Sequence, residues 1–90
     1  MQTMPDVIMY STDWCGHCTR AKRLLEKKGV AYREINVDHD MEGGRGALAQ
    51  MFGRFTVPQI MIGETHVGGA DELFALERAG RLDAMLTSAS

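Results

Sequence analysis

The sequence is poor in cysteine, proline and aromatic residues, and it contains no long apolar run. Its only cysteines, Cys15 and Cys18, lie three positions apart, which excludes a disulfide-dense secreted scaffold. The longest uncharged stretch, Phe55 to Gly63, falls far short of the roughly 20 apolar residues a membrane-spanning helix needs. Neither sign of charge dominates. Ten Lys and Arg oppose twelve Asp and Glu, a formal net charge of −2, so no broad positive field exists to hold a polyanion such as nucleic acid. The opening Met1-Gln-Thr-Met-Pro-Asp6 shows neither the basic nor the apolar region of a secretory signal, and a cytoplasmic location is the expectation. What remains is ordinary: 44% hydrophobic and 24% charged residues over 90 positions describe one globular domain, residues 1–90, without repeat, linker or low-complexity stretch.

Periodicity divides the chain into alternating elements. Val7-Ile8-Met9-Tyr10 is a short apolar run suited to a central strand covered on both faces. Between Cys15 and Lys28, Cys18, Ala21, Leu24 and Leu25 recur at helical spacing, with Gly29 placed to end the helix in the left-handed conformation. Val30 to Val37 is rich in β-formers and closes on the turn residues Asp38-His39-Asp40. Met41 to Phe52 predicts a second helix whose first turn is weakened by Gly43, Gly44 and Gly46. Gln59-Ile60-Met61-Ile62, a turn at Gly63-Glu64, and His66-Val67 predict an antiparallel hairpin. Asp71 is placed to cap a last helix that is interrupted at Gly80 and resumes over residues 81–86, leaving 87–90 as a loose tail. The order β-α-β-α-β-β-α, with a right-handed crossover through the first helix, predicts an α/β fold: a four-stranded mixed sheet flanked by helices, similar to the thioredoxin arrangement.

The chemistry concentrates in Trp14-Cys15-Gly16-His17-Cys18. Cysteines at i and i+3 in a first helical turn bring their sulfurs within bridging range, so the pair can cycle between dithiol and disulfide. At a helix N-terminus the free amides and positive dipole end favour a thiolate; Cys15 is therefore the expected nucleophile, with a depressed pKa, and Cys18 the buried resolving thiol. His17, as an imidazolium beside Cys15, would favour the thiolate further; otherwise it is a solvated histidine. Trp14 either packs over the sheet edge or forms an apolar wall for a docking partner. A structural zinc site is disfavoured, because His39 and His66 show no ligand spacing with the cysteines. Two further signals lie downstream. In Arg54-Phe55-Thr56-Val57-Pro58 the proline must stand at the start of its strand, and a cis Val57–Pro58 peptide is compatible with that position. In Gly68-Gly69-Ala70-Asp71-Glu72 two glycines lead into a helix N-terminus, where backbone N–H groups can meet a carboxylate.

Together the C-x-x-C after the first strand, Thr56-Val57-Pro58 and Gly68-Gly69-x-Asp71 resemble a glutaredoxin over nearly the whole chain. The resemblance implies a glutathione-dependent thiol–disulfide oxidoreductase in which Cys15 attacks mixed disulfides. It implies that Thr56 and Val57, beside cis Pro58, hold the cysteinyl part of glutathione. Gly69, Ala70 and Asp71 would take the γ-glutamyl end, and Arg54 the glycine carboxylate. It further implies glutathione as co-substrate, no metal, protein disulfides or glutathionylated proteins as substrates, and a monomer. Departures stand beside it. Cys15-Gly16-His17-Cys18 after Trp14 is similar to the pair of protein disulfide isomerases rather than the family's usual Cys-Pro-Tyr-Cys, and Thr12 occupies the position where a lysine is common. Reference potentials of about −200 to −230 mV for glutaredoxins and about −180 mV for protein disulfide isomerase make raised oxidase or isomerase activity the natural variant. Gly16, replacing the family's proline, also leaves open an iron–sulfur cluster carrier in which two subunits share a cluster through Cys15 and glutathione. The helix face bearing Arg20, Arg23 and Lys27 is either solvated or a dock for an acidic partner.

Overall fold

A computed structural model describes residues 5–87. The chain forms β1 (Val7–Ser11), α1 (Gly16–Lys27), β2 (Arg33–Asn36), α2 (Gly44–Phe52), β3 (Gln59–Ile62), β4 (Thr65–Gly68), α3 (Ala70–Arg78) and α4 (Leu82–Thr87). The strands make one sheet in the order β2-β1-β3-β4, with β1 parallel to β2 and antiparallel to β3, and β3 antiparallel to β4. This is the expected thioredoxin-like mixed sheet.

Because β1 and β3 are the inner strands, side chains on both their faces are covered. Val7, Met9, Ile60 and Ile62 point to one face and join Ala21, Leu24 and Leu25 of α1, Leu73 of α3, and Leu82 and Leu86 of α4 in the larger core. Tyr10 points to the other, where it meets Val37 and Leu48 of α2, with Ile8, Met61 and Phe52 packed around them. The alternation of a strand and the 3.6-residue period of a helix thus place three helices on one side and one on the other.

Several boundaries differ from the sequence expectation. β2 is shorter than residues 30–37, because Val30 and Tyr32 pack against the larger core instead of pairing with β1. α2 begins at Gly44 rather than Met41, the loss of a first turn that its glycines predict, with Gly43 as a left-handed N-cap at φ of 85°. Asp71 does not cap α3. The N-cap is Gly69, whose N–H donates to the Glu72 carboxylate at 2.6 Å, and Asp71 lies inside the first turn. Thr87 is not tail but the last residue of α4, its hydroxyl donating to the Asp83 carbonyl at 2.8 Å; residues 88–90 lie outside the described residues. Gly29 does take the expected left-handed conformation after α1. No helix among the described residues is long and apolar enough to cross a membrane.

Candidate active site

The first functional side chain is positioned by the end of β1. The chain leaves the sheet at Ser11, and Cys15, with extended φ and ψ of −144° and 103°, becomes the N-cap of α1. Its Sγ accepts the Cys18 N–H at 3.1 Å, the contact usually made by a capping oxygen. Cys15 and Cys18 are joined as a disulfide, with Cα atoms 5.2 Å apart. The two thiols are unequally placed. Cys18 is only 1% exposed and packed under the helix, whereas Cys15 is half-buried and its Sγ lies 3.7 Å from the Val57 carbonyl oxygen. That asymmetry suits an outer sulfur that meets substrate and an inner one that can be reached only from Cys15.

Both aromatic neighbours of the pair are exposed. Trp14 is 97% exposed and does not pack over the sheet edge. His17 is exposed, and its Nδ1 lies 3.0 Å from the Arg20 guanidinium. Arginine has no acceptor, so Nδ1 accepts in this contact. On the opposite side of Cys15, Asp13 accepts from the Asn36 amide at 2.7 Å and pairs with His39 Nε2 at 2.8 Å, which ties the loop before Cys15 to the turn after β2. The His39 hydrogen bond holds the Asp13 carboxyl below its ordinary range, and the same bond raises the His39 imidazole.

The other predicted residues converge on one cleft of about 190 Å³, to which His17, Arg54, Thr56, Val57 and Pro58 contribute together with Gly69, Ala70 and Asp71. The Val57–Pro58 peptide is cis. Behind it, fully buried Gln59 donates from its amide nitrogen to the Thr56 carbonyl at 2.8 Å and to the Thr56 hydroxyl at 3.2 Å, while its oxygen lies 2.7 Å from His66 Nε2. His66 in turn stacks on Phe52 with centroids 4.4 Å apart. The Thr56-Val57 segment is therefore anchored through a side-chain relay to the α2 side of the sheet. Across the cleft stands the N-terminus of α3, whose amides at Ala70 and Asp71 have no acceptor within their own helix.

Glu72, which the sequence reading did not single out, also lines the cleft. Its carboxylate accepts from Gly69 N–H and from Arg54 at 2.7 Å, and these two donors, Gly69 first, hold it below the usual carboxylate range. The backbone gives way to make room for the pair. Gly68 has φ of 110°, and a Cβ built there would fall 2.5 Å from the Glu72 Oε1 atom. Glu72 reaches back to the Gly69 N–H as the acidic half of a capping box does, but Gly69 has no side chain to complete it, so only half of that signal stands in the sequence. Gln59 and His66 gave no such signal; a glutamine at the head of an apolar strand reads only as a strand end. Among the described residues no group of three His, Cys, Asp or Glu side chains gathers as metal ligands.

A family model described as Glutaredoxin matches residues 7–67. The chain belongs to the glutaredoxin family. It is 58% identical over 85 residues to "Glutaredoxin" of Pseudomonas aeruginosa, a match that covers 94% of this chain and 100% of that one. To "Glutaredoxin 3" of Escherichia coli K12 it is 42% identical over 83 residues, covering 92% and 99% of the two chains. Among solved structures, that of a buckwheat glutaredoxin–glutathione complex superposes with a TM-score of 0.85 at 36% identity, covering 92% of this chain and 77% of the other. This glutaredoxin is thus a thiol–disulfide oxidoreductase with a redox-active Cys15–Cys18 pair. In it the half-buried sulfur sits where a strand turns into a helix, 3.7 Å from the carbonyl oxygen of Val57, which lines the cleft.

Proposed function

We propose that this glutaredoxin takes glutathione as its co-substrate and acts on glutathione mixed disulfides and protein disulfides. The Cys15 thiolate attacks the glutathionyl sulfur of a mixed disulfide. A bond forms between the two sulfurs, and the target sulfur leaves as a thiolate and takes up a proton. The thiolate of a second glutathione then attacks the glutathionyl sulfur on Cys15, which releases oxidised glutathione and restores the Cys15 thiolate. The target ends as a thiol, and the two glutathionyl groups leave joined. On a protein disulfide, Cys15 forms the mixed disulfide with the target, Cys18 attacks Cys15 Sγ to free the reduced target, and two glutathiones reduce the resulting Cys15–Cys18 bond.

The observation that carries this reading is a cleft next to the Cys15 sulfur: Val57, whose carbonyl oxygen lies 3.7 Å from that sulfur, lines the cleft together with His17 and the α3 N-terminus. The Val57 main chain, steadied by Thr56, Pro58 and Gln59, would pair with the cysteinyl part of glutathione. The free amides of Ala70 and Asp71, beside Gly69, would take the γ-glutamyl carboxylate, and the Asp71 carboxylate its ammonium. Arg54 would meet the glycine carboxylate, which must then share that guanidinium with Glu72. His17 borders the same cleft. The proposed enzyme is a cytoplasmic monomer that needs no metal.

Turnover of a glutathionylated peptide tests the assignment. Cys15→Ser should abolish it, whereas Cys18→Ser should retain it, because glutathione replaces Cys18 in that cycle. Loss of activity in both variants would show that the division of labour is wrong. A raised oxidase or isomerase activity is favoured by one observation, the Trp14 ring standing 97% exposed beside the nucleophile, where it offers an apolar surface to an unfolded chain. Refolding of a protein with scrambled disulfides measures it. The Trp14→Ala variant should slow that reaction more than it slows reduction of a small glutathione mixed disulfide.

A further inference from the structure

The cations of α1 are not all committed. Lys22 pairs with Glu34, and Lys28 pairs with Glu77 and with Asp83, each of the latter at 2.7 Å. Arg20 approaches Asp71 only at 4.0 Å, and among the described residues neither Arg23 nor Lys27 has a carboxylate within that distance. These less committed cations do not scatter. Arg20, Arg23 and Lys27 rim one groove of about 260 Å³ between α1 and α3, whose remaining walls are Leu24 and Phe74. In a molecule with more acidic than basic residues, this gathering of unmatched positive charge around an apolar floor is a local excess. The Arg20 guanidinium lies over the Phe74 ring at 5.0 Å, so the cation and the apolar surface form one wall.

The groove also lies beside the active-site cleft. Arg20, on the rim of the groove, contacts His17 at 3.0 Å and Asp71 at 4.0 Å, both of which line that cleft, so the two depressions are neighbours. A polypeptide whose sulfur reaches Cys15 can therefore continue along α1. We infer that this groove is the docking site for the segment flanking the disulfide of a protein substrate, and that the segment is acidic with an apolar side chain to set against Phe74. Opposite charge along such a rim acts chiefly on encounter and selection of partners, with a strong dependence on ionic strength. The inference rests on the reading of Cys15 as the exchanging sulfur.

Two glutathionylated peptides identical except for flanks, one Glu- and Leu-containing and one Lys- and Leu-containing, provide the test, with a small glutathione mixed disulfide as a third substrate. At low salt the acidic peptide should be preferred by about tenfold in kcat/KM, and the preference should shrink as salt rises. Arg23→Glu combined with Lys27→Glu should reverse the preference, and Arg23→Gln combined with Lys27→Gln should erase it. All should turn over the small substrate as the parent does, which also shows that they fold. Equal use of both peptides by the parent protein, or a preference unchanged in the Glu variant, would overturn the docking site while leaving the glutathione chemistry standing. Failure on the small substrate by the parent would instead remove the proposed function. Sedimentation gives the last arm: a concentration-dependent dimer lost in the Glu variant would mean that the groove holds a second copy of this chain.

Discussion

At the scale of the residue, the site is an arrangement of backbone around one sulfur, and side chains matter where they hold that backbone. Gly68 shows this most directly. With φ of 110° and room for no Cβ beside Glu72, it lets the Arg54–Glu72 pair lie against the main chain where α3 begins. Gly68→Ala should therefore cost about 1–3 kcal/mol of stability through the backbone conformation alone. It should also displace the carboxylate from Arg54, so thermal unfolding should fall and KM for a glutathione substrate should change together. A stable variant with unaltered KM would contradict the arrangement. Legibility at this scale followed chemistry. Cys15, Cys18, Val57 and Pro58 could be read because sulfur spacing and proline carry meaning within a few positions. Glu72, Gln59 and His66 could not, because each acts on a partner brought near by the fold: Arg54 is 18 positions from Glu72, and His66 is seven from Gln59 across the hairpin.

At the scale of the element, α2 and the turn before it are the least regular part of the chain, and two measurements address them. Gly46 lies inside α2 with right-handed φ, and nothing stands within 4 Å of where its Cβ would be. Gly46→Ala should stabilise the protein by roughly 0.5–1 kcal/mol by lowering the entropy of the unfolded chain. A melting temperature that rises by about 4–8 °C per kcal/mol would register it. Gly44→Ala, at φ of 52°, should give no such gain. The turn ahead of α2 is tied to the active-site loop by His39 and Asp13. His39 is raised by that partner, so its stabilisation is present below the ordinary histidine pKa and is lost as pH rises through the folded-state value. The difference in melting temperature between the parent and His39→Gln should be larger at pH 5.5–6 than above pH 8; the reverse order would exclude the pair as a stabilising contact. Element types were largely legible, because the 3.6- and 2-residue periods are written in the apolar positions. Boundaries were less so. Residues 30–32 have the composition of a strand yet satisfy their apolar character by packing, and Gly69, which has no capping side chain, serves as N-cap because Glu72 reaches back to it.

At the scale of the whole molecule, the order β2-β1-β3-β4 brings together segments from all three thirds of the sequence, and that meeting creates the cleft. Two of the three strand pairings followed from one crossover rule and a hairpin, whereas the β1–β3 pairing did not. The groove along α1 did not follow, since it depends on which cations find carboxylate partners after folding. The sheet is also unequally clad. Eleven buried residues make the core beneath α1, α3 and α4, whereas three make the core beneath α2. Protection against amide hydrogen exchange should be lopsided to match: α2 should open by local fluctuation at a lower free energy than β1, β3 and α1, and exchange first. Because α2 ends at Phe52, where His66 stacks and from where the relay through Gln59 runs to Thr56, each such opening would also loosen the Val57 wall of the cleft. Occupancy of that wall by glutathione would then quieten a helix it never touches, so the thin side of the molecule would register, in deuterium uptake, whether the other end of the relay is filled.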